Sequence, residues 1–248
     1  MNGFTTKISG PFIVIGDVHG QIDLLLDLLN NLKKAVKDFD KRWLVFVGDL
    51  VDRGKDSKQV IQLVIDLILN REKTTGIMGN HEYVLISSLG MLGAERQREW
   101  AGMYKKIFSS GPTFSSYNVK EGDLQALKNS MPERHMEFLF SLPWHIEEDG
   151  HLIVHAGLFP DKPFKPQLEE LKSRSFSTMW IPFFDDPELV SSDPPSDCPL
   201  TVISGHVRQP DVIFREKRIL LDTTGGLSGN LSAVLLPERK VVTSDRGA

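Results

Sequence analysis

The chain has 248 residues, of which 40% are hydrophobic and 25% charged, with a formal net charge of −4. This length suits one α/β domain with a substantial buried core, and the composition is that of an ordinary globular protein. There is no basic field to suggest a nucleic-acid partner, no apolar run approaching the ~18 residues of a membrane span, and a single cysteine, Cys198, which excludes an internal disulfide framework and reads as a bystander thiol.

The polar residues 1–9 carry no signal pattern, so with the lone cysteine a cytoplasmic location is expected. Phe12-Ile13-Val14-Ile15 is a buried-strand candidate, and residues 16–20 follow as a loop. Over residues 21–36, Ile22, Leu25, Leu28, Leu29 and Leu32 recur at helical spacing. A second strand is predicted over 43–47. After the loop 48–56 comes a helix reaching Leu69, with Ser57 as N-cap and Val60, Ile61, Val64, Ile65 and Ile68 on its apolar face. A third strand covers 74–78. Strands alternating with helices imply a parallel, helix-flanked sheet.

Residues 82–142 lack a strand signal. Helices are predicted over 95–108 and 132–142, with Pro132 in a first helical turn, and the whole stretch reads as a helical insertion over one side of a site. Strands return at 152–154, 200–204, 218–221 and 231–236, and the proline-rich residues 182–199 read as a loop near the site mouth. The chain as a whole, 1–248, reads as a single domain.

Three predicted strands end in glycine followed by an oxygen ligand type: Gly16-Asp17, Gly48-Asp49 and Gly79-Asn80. In open α/β sheets ligands gather at the carboxyl ends of strands, so these side chains are expected to converge. Four of the seven histidines, His19, His81, His155 and His206, lie at strand ends or in these loops. His135, His145 and His151 sit in helical or strand-edge contexts and read as structural or surface residues. A mixed nitrogen and oxygen donor set favours Mn²⁺, Fe or Zn²⁺ over Ca²⁺. Bound metal would reverse the local charge of the acidic site, so an anionic substrate is compatible with the negative chain.

Gly16-Asp17-Val18-His19-Gly20, Gly48-Asp49-Leu50-Val51-Asp52-Arg53-Gly54, Gly79-Asn80-His81-Glu82, His155-Ala156-Gly157 and Gly205-His206 resemble, in order, the five motifs of the calcineurin-like metallophosphoesterases. They are closest to the phosphoprotein phosphatase branch with its bacterial and phage relatives, and Leu221-Asp222-Thr223-Thr224-Gly225-Gly226 and the strand pair after it resemble the family's C-terminal tail. The resemblance implies an α/β fold, a central β-sandwich of mixed sheets flanked by helices with a helical insertion. It implies two divalent metal ions, manganese first, with iron or zinc as alternatives. Asp17, His19 and Asp49 would hold one, Asp49 would bridge, and Asn80, His155 and His206 would complete the other. A water held between them as hydroxide would attack the phosphorus. His81 would be the general acid that protonates the leaving alkoxide, held by Asp52, and Arg53 would grip the phosphate oxygens bidentately.

Within that family Asp52 and Glu82 match the protein-phosphatase form, where a poor alkoxide leaving group needs protonation. The expected function is therefore a phosphoprotein phosphatase for serine or threonine, with tyrosine as an open option. Symmetrical diadenosine tetraphosphate hydrolysis is the first alternative and a non-catalytic phosphoprotein-binding pseudophosphatase the second. One departure bears on the choice: in Met179-Trp180-Ile181-Pro182-Phe183, Pro182 stands where bacterial-type members carry a second phosphate-gripping arginine, for which Arg174 or Arg208 could substitute. The expected partner is a phosphoprotein or phosphorylated small molecule, with neither nucleic acid nor membrane.

Overall fold

A computed structural model describes residues 4–175, 188 and 191–245. Two five-stranded sheets form its centre. The first has the order β10-β9-β1-β2-β3, built from Lys240–Thr243, Ser232–Leu236, Phe12–Ile15, Trp43–Phe46 and Thr74–Gly76. The second has the order β4-β5-β6-β8-β7, from His145–Glu148, His151–Val154, Thr201–Ser204, Arg218–Leu220 and Ile213–Phe214.

Both sheets are mixed. The trio β1, β2, β3 is parallel, as expected from the alternating strands and helices, but β9 and β10 run antiparallel to it. In the second sheet β5, β6 and β8 are parallel and β4 and β7 antiparallel at the edges.

The continuous apolar run of β1 follows from burial on both faces. Phe12 and Val14 join Val45, Ile153, Ile203 and Val234 in the core between the sheets. Their neighbours Ile13 and Ile15 point the other way, into the core beneath helices α1 (Ile22–Ala35) and α2 (Ser57–Asn70).

From Asn80 to Ser141 five helices follow one another: α3 (Asn80–Ser88), α4 (Ala94–Ile107), α5 (Gly111–Ser116), α6 (Leu124–Ser130) and α7 (Glu133–Ser141). Helix α8 spans Phe164–Ser173. Among the described residues no helix is long and apolar enough to cross a membrane.

Two expected helix starts are corrected. Asp56, not Ser57, caps α2 by accepting from the Gln59 amide at 3.0 Å, because the Ser57 hydroxyl is drawn to the preceding loop. Pro132, with ψ 141°, stands before α7 as its cap rather than inside the first turn.

The parallel strands deliver their carboxyl ends to one place, and close backbone approach makes that possible. Gly48 has φ +96°, and a Cβ there would collide with the Gly79 backbone nitrogen, so two strand-end loops touch through glycine alone. Replacing Gly48 with alanine is expected to lower the unfolding free energy by about 2–3 kcal/mol through left-handed strain and displacement of the 79–81 backbone. A chemical denaturation midpoint unchanged from the parent would overturn this account.

Candidate active site

Asp17, Asp49, Asn80, His155, His206 and Asp222 all lie just past the ends of parallel strands; His19, Asp52 and Arg53 follow on the same loops, and His81 follows Asn80 in the first turn of α3. Asp17, His19, Asp49, Asp52, Asn80, His81 and His155 are buried. The loops are conformationally exacting. His19, Asp49, Asp52, Arg53 and His206 all have positive φ, between 44° and 69°, a region that costs a non-glycine residue energy and recurs at sites built for chemistry.

Asp49 is central. Its Oδ2 lies 3.4 Å from His19 Nε2 and its Oδ1 3.3 Å from His155 Nε2. It is thereby shared by two groups of donor atoms that could each hold a metal ion, His19-Asp49-His81 and Asp49-His155-His206. Burial opposes ionisation of Asp49, but His155, His81 and His19 around it outweigh that and hold its carboxyl well below the usual range.

The histidine rings are oriented by the backbone. His19 Nδ1 lies 2.9 Å from the Val51 carbonyl and His155 Nδ1 2.8 Å from the Val47 carbonyl. A carbonyl can only accept, so Nδ1–H donates in both, and each Nε2 is the nitrogen turned to the site, the one a metal would take. For the polypeptide alone, burial disfavours charge on His155, yet Asp49 and Asp17 outweigh burial and raise it to about 10. Burial and the adjacent His155 lower His206 to about 3.

Asn80 completes this convergence. Its amide lies within 2.9 Å of His155 Nε2 and 3.1 Å of His206 Nδ1, and those two nitrogens are 3.2 Å apart. An amide and two imidazole nitrogens meeting this closely form a donor set suited to a cation.

Asp17 supplies the clearest test of fit. Oδ2 accepts from the His206 amide at 2.8 Å, whereas the buried Oδ1 has no hydrogen-bond partner among the described residues. Burial, with Asp222 and Asp49 close by, pushes the Asp17 carboxyl well above its usual range. An unpartnered carboxylate oxygen in an acidic, histidine-lined nest is what a divalent ion satisfies, so these residues fit a metal centre.

His81 Nδ1 lies 2.8 Å from Asp52 Oδ2, with both residues fully enclosed, and the opposite ring nitrogen faces Asp49 Oδ2 at 3.9 Å. Arg53 is half-buried at the rim; its Nη1 donates to the Gly225 carbonyl at 2.7 Å and lies 3.1 Å from His19 Nε2.

Sequence reasoning named Glu82 and Asp222 only as motif residues without their supporting roles, and missed Tyr104 and Thr113 altogether. The buried Glu82 carboxylate accepts from the amides of Asp49, Leu50, Val51 and Gly79 at 2.7–3.2 Å, pinning the second loop to the third. Burial and then Asp49 raise Glu82 to about 7 against the Gly79 hydrogen bond and the nearby His155 and His81. Its position three residues after Gly79 is a helix-cap signal that could have revealed it. Asp222 Oδ1 accepts from Thr224 and Gly225 amides and shapes the turn that receives Arg53. Tyr104 and Thr113 both donate to Asp52, and no local pattern announces either.

The remaining histidines have other partners. His135 is buried between the Tyr117 hydroxyl and Gln62, His145 pairs with Glu147, and His151 with Glu148. Cys198 is buried, and burial raises its thiol, as suits an inert side chain. Residues 179–183, including Pro182, lie outside the described residues. Of the two candidate substitutes for the missing arginine, Arg174 donates to the Phe140 carbonyl. Arg208 donates to Ser228 and packs on Gly225, the residue whose carbonyl receives Arg53.

Comparison with known proteins agrees with this geometry. PrpE of Halalkalibacterium halodurans, named an asymmetrical bis(5'-nucleosyl)-tetraphosphatase, is 32% identical over 130 residues, 43% of this chain and 52% of its own. A putative serine/threonine-protein phosphatase of Caenorhabditis elegans is 33% identical over 104 residues, 42% of this chain and 22% of its own. Over such matches the chain spans about half the length, or less, of its curated relatives. A serine/threonine phosphatase structure from Saccharomyces cerevisiae shares the fold with a TM-score of 0.60 at 19% identity, covering 99% of this chain and 85% of the other. The profile of the calcineurin-like phosphoesterases matches residues 10–221, most of the chain. With that match, the chain belongs to the calcineurin-like phosphoesterase family.

Proposed function

We propose that the protein is a phosphomonoesterase acting on phosphoserine or phosphothreonine in proteins, with phosphotyrosine as a lesser substrate. The observation that carries this reading is the enclosed His81–Asp52 pair, 2.8 Å apart at the edge of the metal nest. With Nδ1–H donated to Asp52, the opposite nitrogen of His81 is the one that faces the reacting groups and can hand over a proton. A seryl alkoxide is a poor leaving group and needs that proton, whereas a nucleotide phosphate departs without much help.

Asp17, His19 and Asp49 would hold one divalent ion, and Asn80, His155 and His206 the second, with Asp49 shared. Bound there, the two ions supply a water of lowered pKa and Lewis-acid stabilisation of the attacking and leaving oxygens. The mixed imidazole and oxygen donors suit manganese, with iron or zinc as alternatives. Arg53 binds the phosphate oxygens, and Arg208, on the same Gly225 turn, is the candidate second cation.

A carboxylate behind a histidine is also the usual support of a metal-bound imidazole, so His81 has a competing role as a ligand. The two roles differ in their response to the leaving group. A second reading, hydrolysis of a dinucleoside polyphosphate, draws support from the name of the PrpE relative.

Chelator treatment is expected to abolish turnover of p-nitrophenyl phosphate, Mn²⁺ to restore it, and Asp17→Asn to weaken Mn²⁺ binding at least about tenfold by calorimetry. Metal binding unaffected in Asp17→Asn would remove that residue from the ligand set. Asp52→Asn should lower kcat on a phosphoserine peptide by about 10²-fold while p-nitrophenyl phosphate loses only a few-fold. Equal losses on both would reject His81 as the acid, and a parent enzyme that prefers diadenosine tetraphosphate to the peptide would favour the second reading.

A further inference from the structure

Asp52 is held from the helical stretch between α3 and α7. While Oδ2 receives His81, Oδ1 receives the Tyr104 hydroxyl from α4 at 2.7 Å and the Thr113 hydroxyl from α5 at 2.6 Å. Proton counting fixes the directions. Thr113 has one hydroxyl proton, given to Asp52, so in its 2.9 Å contact with Ser57 it is Ser57 that donates. All four of these side chains, Asp52, Tyr104, Thr113 and Ser57, are 0% exposed. Burial and the neighbouring Asp52 carboxylate push the Tyr104 phenol well above its usual range, so it remains a donor.

The same stretch, together with Ser57 at the start of α2, holds the backbone beneath. The Asp52 amide donates to Ser57 Oγ and Thr113 Oγ1, each at 3.0 Å, and the Arg53 amide to the Ser109 carbonyl at 3.1 Å. Asp52 and Arg53 have φ of 69° and 63°, so these contacts hold a left-handed pair that local preference would abandon.

We propose that Tyr104 and Thr113 are positioning residues for proton delivery by His81, a role resting on the acid-pair reading above. The carboxylate torsion of aspartate is broad, so one hydrogen bond to histidine leaves the plane free to turn. Two hydroxyls on Oδ1 stop that rotation and keep Oδ2 on the imidazole, and through it the ring aimed at the leaving oxygen. The helices thereby act on the protonation step and leave metal binding to the strand-end residues.

The full chain loaded with Mn²⁺ is assayed as Tyr104→Phe, Thr113→Val and Thr113→Ser, with Asp52→Asn in parallel, on a phosphoserine peptide and on p-nitrophenyl phosphate. Tyr104→Phe and Thr113→Val should each lower kcat on the peptide about tenfold, the weak end for a hydrogen bond to a charged group, with KM and aryl turnover within about twofold. Thr113→Ser, which keeps the hydroxyl, should restore peptide turnover. In the Asp52→Asn background Tyr104→Phe should cost less than about twofold more, because the charged carboxylate through which it acts on His81 is gone. If Asp52→Asn discriminates between the substrates but neither hydroxyl deletion does, or if the losses add in the double variant, positioning by these residues is overturned. If Asp52→Asn itself fails to discriminate, the acid-pair reading falls first.

Discussion

The burial of carboxylate charge governs this structure. Asp17, Asp49, Glu82 and Asp222 crowd the ends of the two parallel strand trios with little or no access to water. Each buried ion forgoes several kcal/mol of hydration unless partners replace it. Glu82 is met by four backbone amides and Asp222 by two. Asp49 is met by histidines on both sides, while Asp17 Oδ1 and Asp222 Oδ2 have no hydrogen-bond partner among the described residues. The imbalance concentrates where the imidazole nitrogens also converge, which is why the same atoms that burden the apo fold suit a pair of cations.

Holding these side chains in register depends on loops that the sheets constrain from both ends. Val18 and His19 both donate their amides to the Asp49 carbonyl, and Gly205 donates to the His155 carbonyl, so strand-end loops of each sheet are tied to one another. Gly205 also lies where any Cβ would strike the Asp17 carboxylate. The left-handed residues of the site are therefore over-determined by long-range hydrogen bonds, and their strain is a feature of preorganisation rather than of looseness.

How much of this could be read in the amino-acid order follows from the range of the interactions. Strands such as Phe12–Ile15 and Thr201–Ser204 announce themselves because burial on two faces demands consecutive apolar residues, and the motif residues stand directly behind them. The edge strand His145–Glu148 does not, since half of it faces outward and carries glutamates. Helix Asn80–Ser88 is buried on every side and so shows no amphipathic period. Ser57 reads as a cap, but the cap is Asp56, because the Asp52 amide and the Thr113 hydroxyl, a partner 56 residues away in the chain, engage the Ser57 hydroxyl. Tyr104 and Thr113 reach Asp52 across more than fifty residues of chain, and nothing in their neighbourhoods marks them.

The division between sheets and helices has a consequence for specificity. The donors suited to metal come from strand ends of two packed sheets, a rigid frame with little freedom to vary without losing the nest. The groups around the His81–Asp52 pair come instead from helices: α3 carries His81, α4 carries Tyr104 and α5 carries Thr113, with Phe108 placed edge-on to the His81 ring at 4.9 Å. Metal-assisted attack is common to every phosphoester this frame could meet, whereas the demand for a proton depends on the leaving group. With His81 as the proposed acid, selectivity between an alkoxide and a nucleotide phosphate would be set in the helices, by how firmly they hold Asp52 against His81, and the frame beneath could stay the same for either.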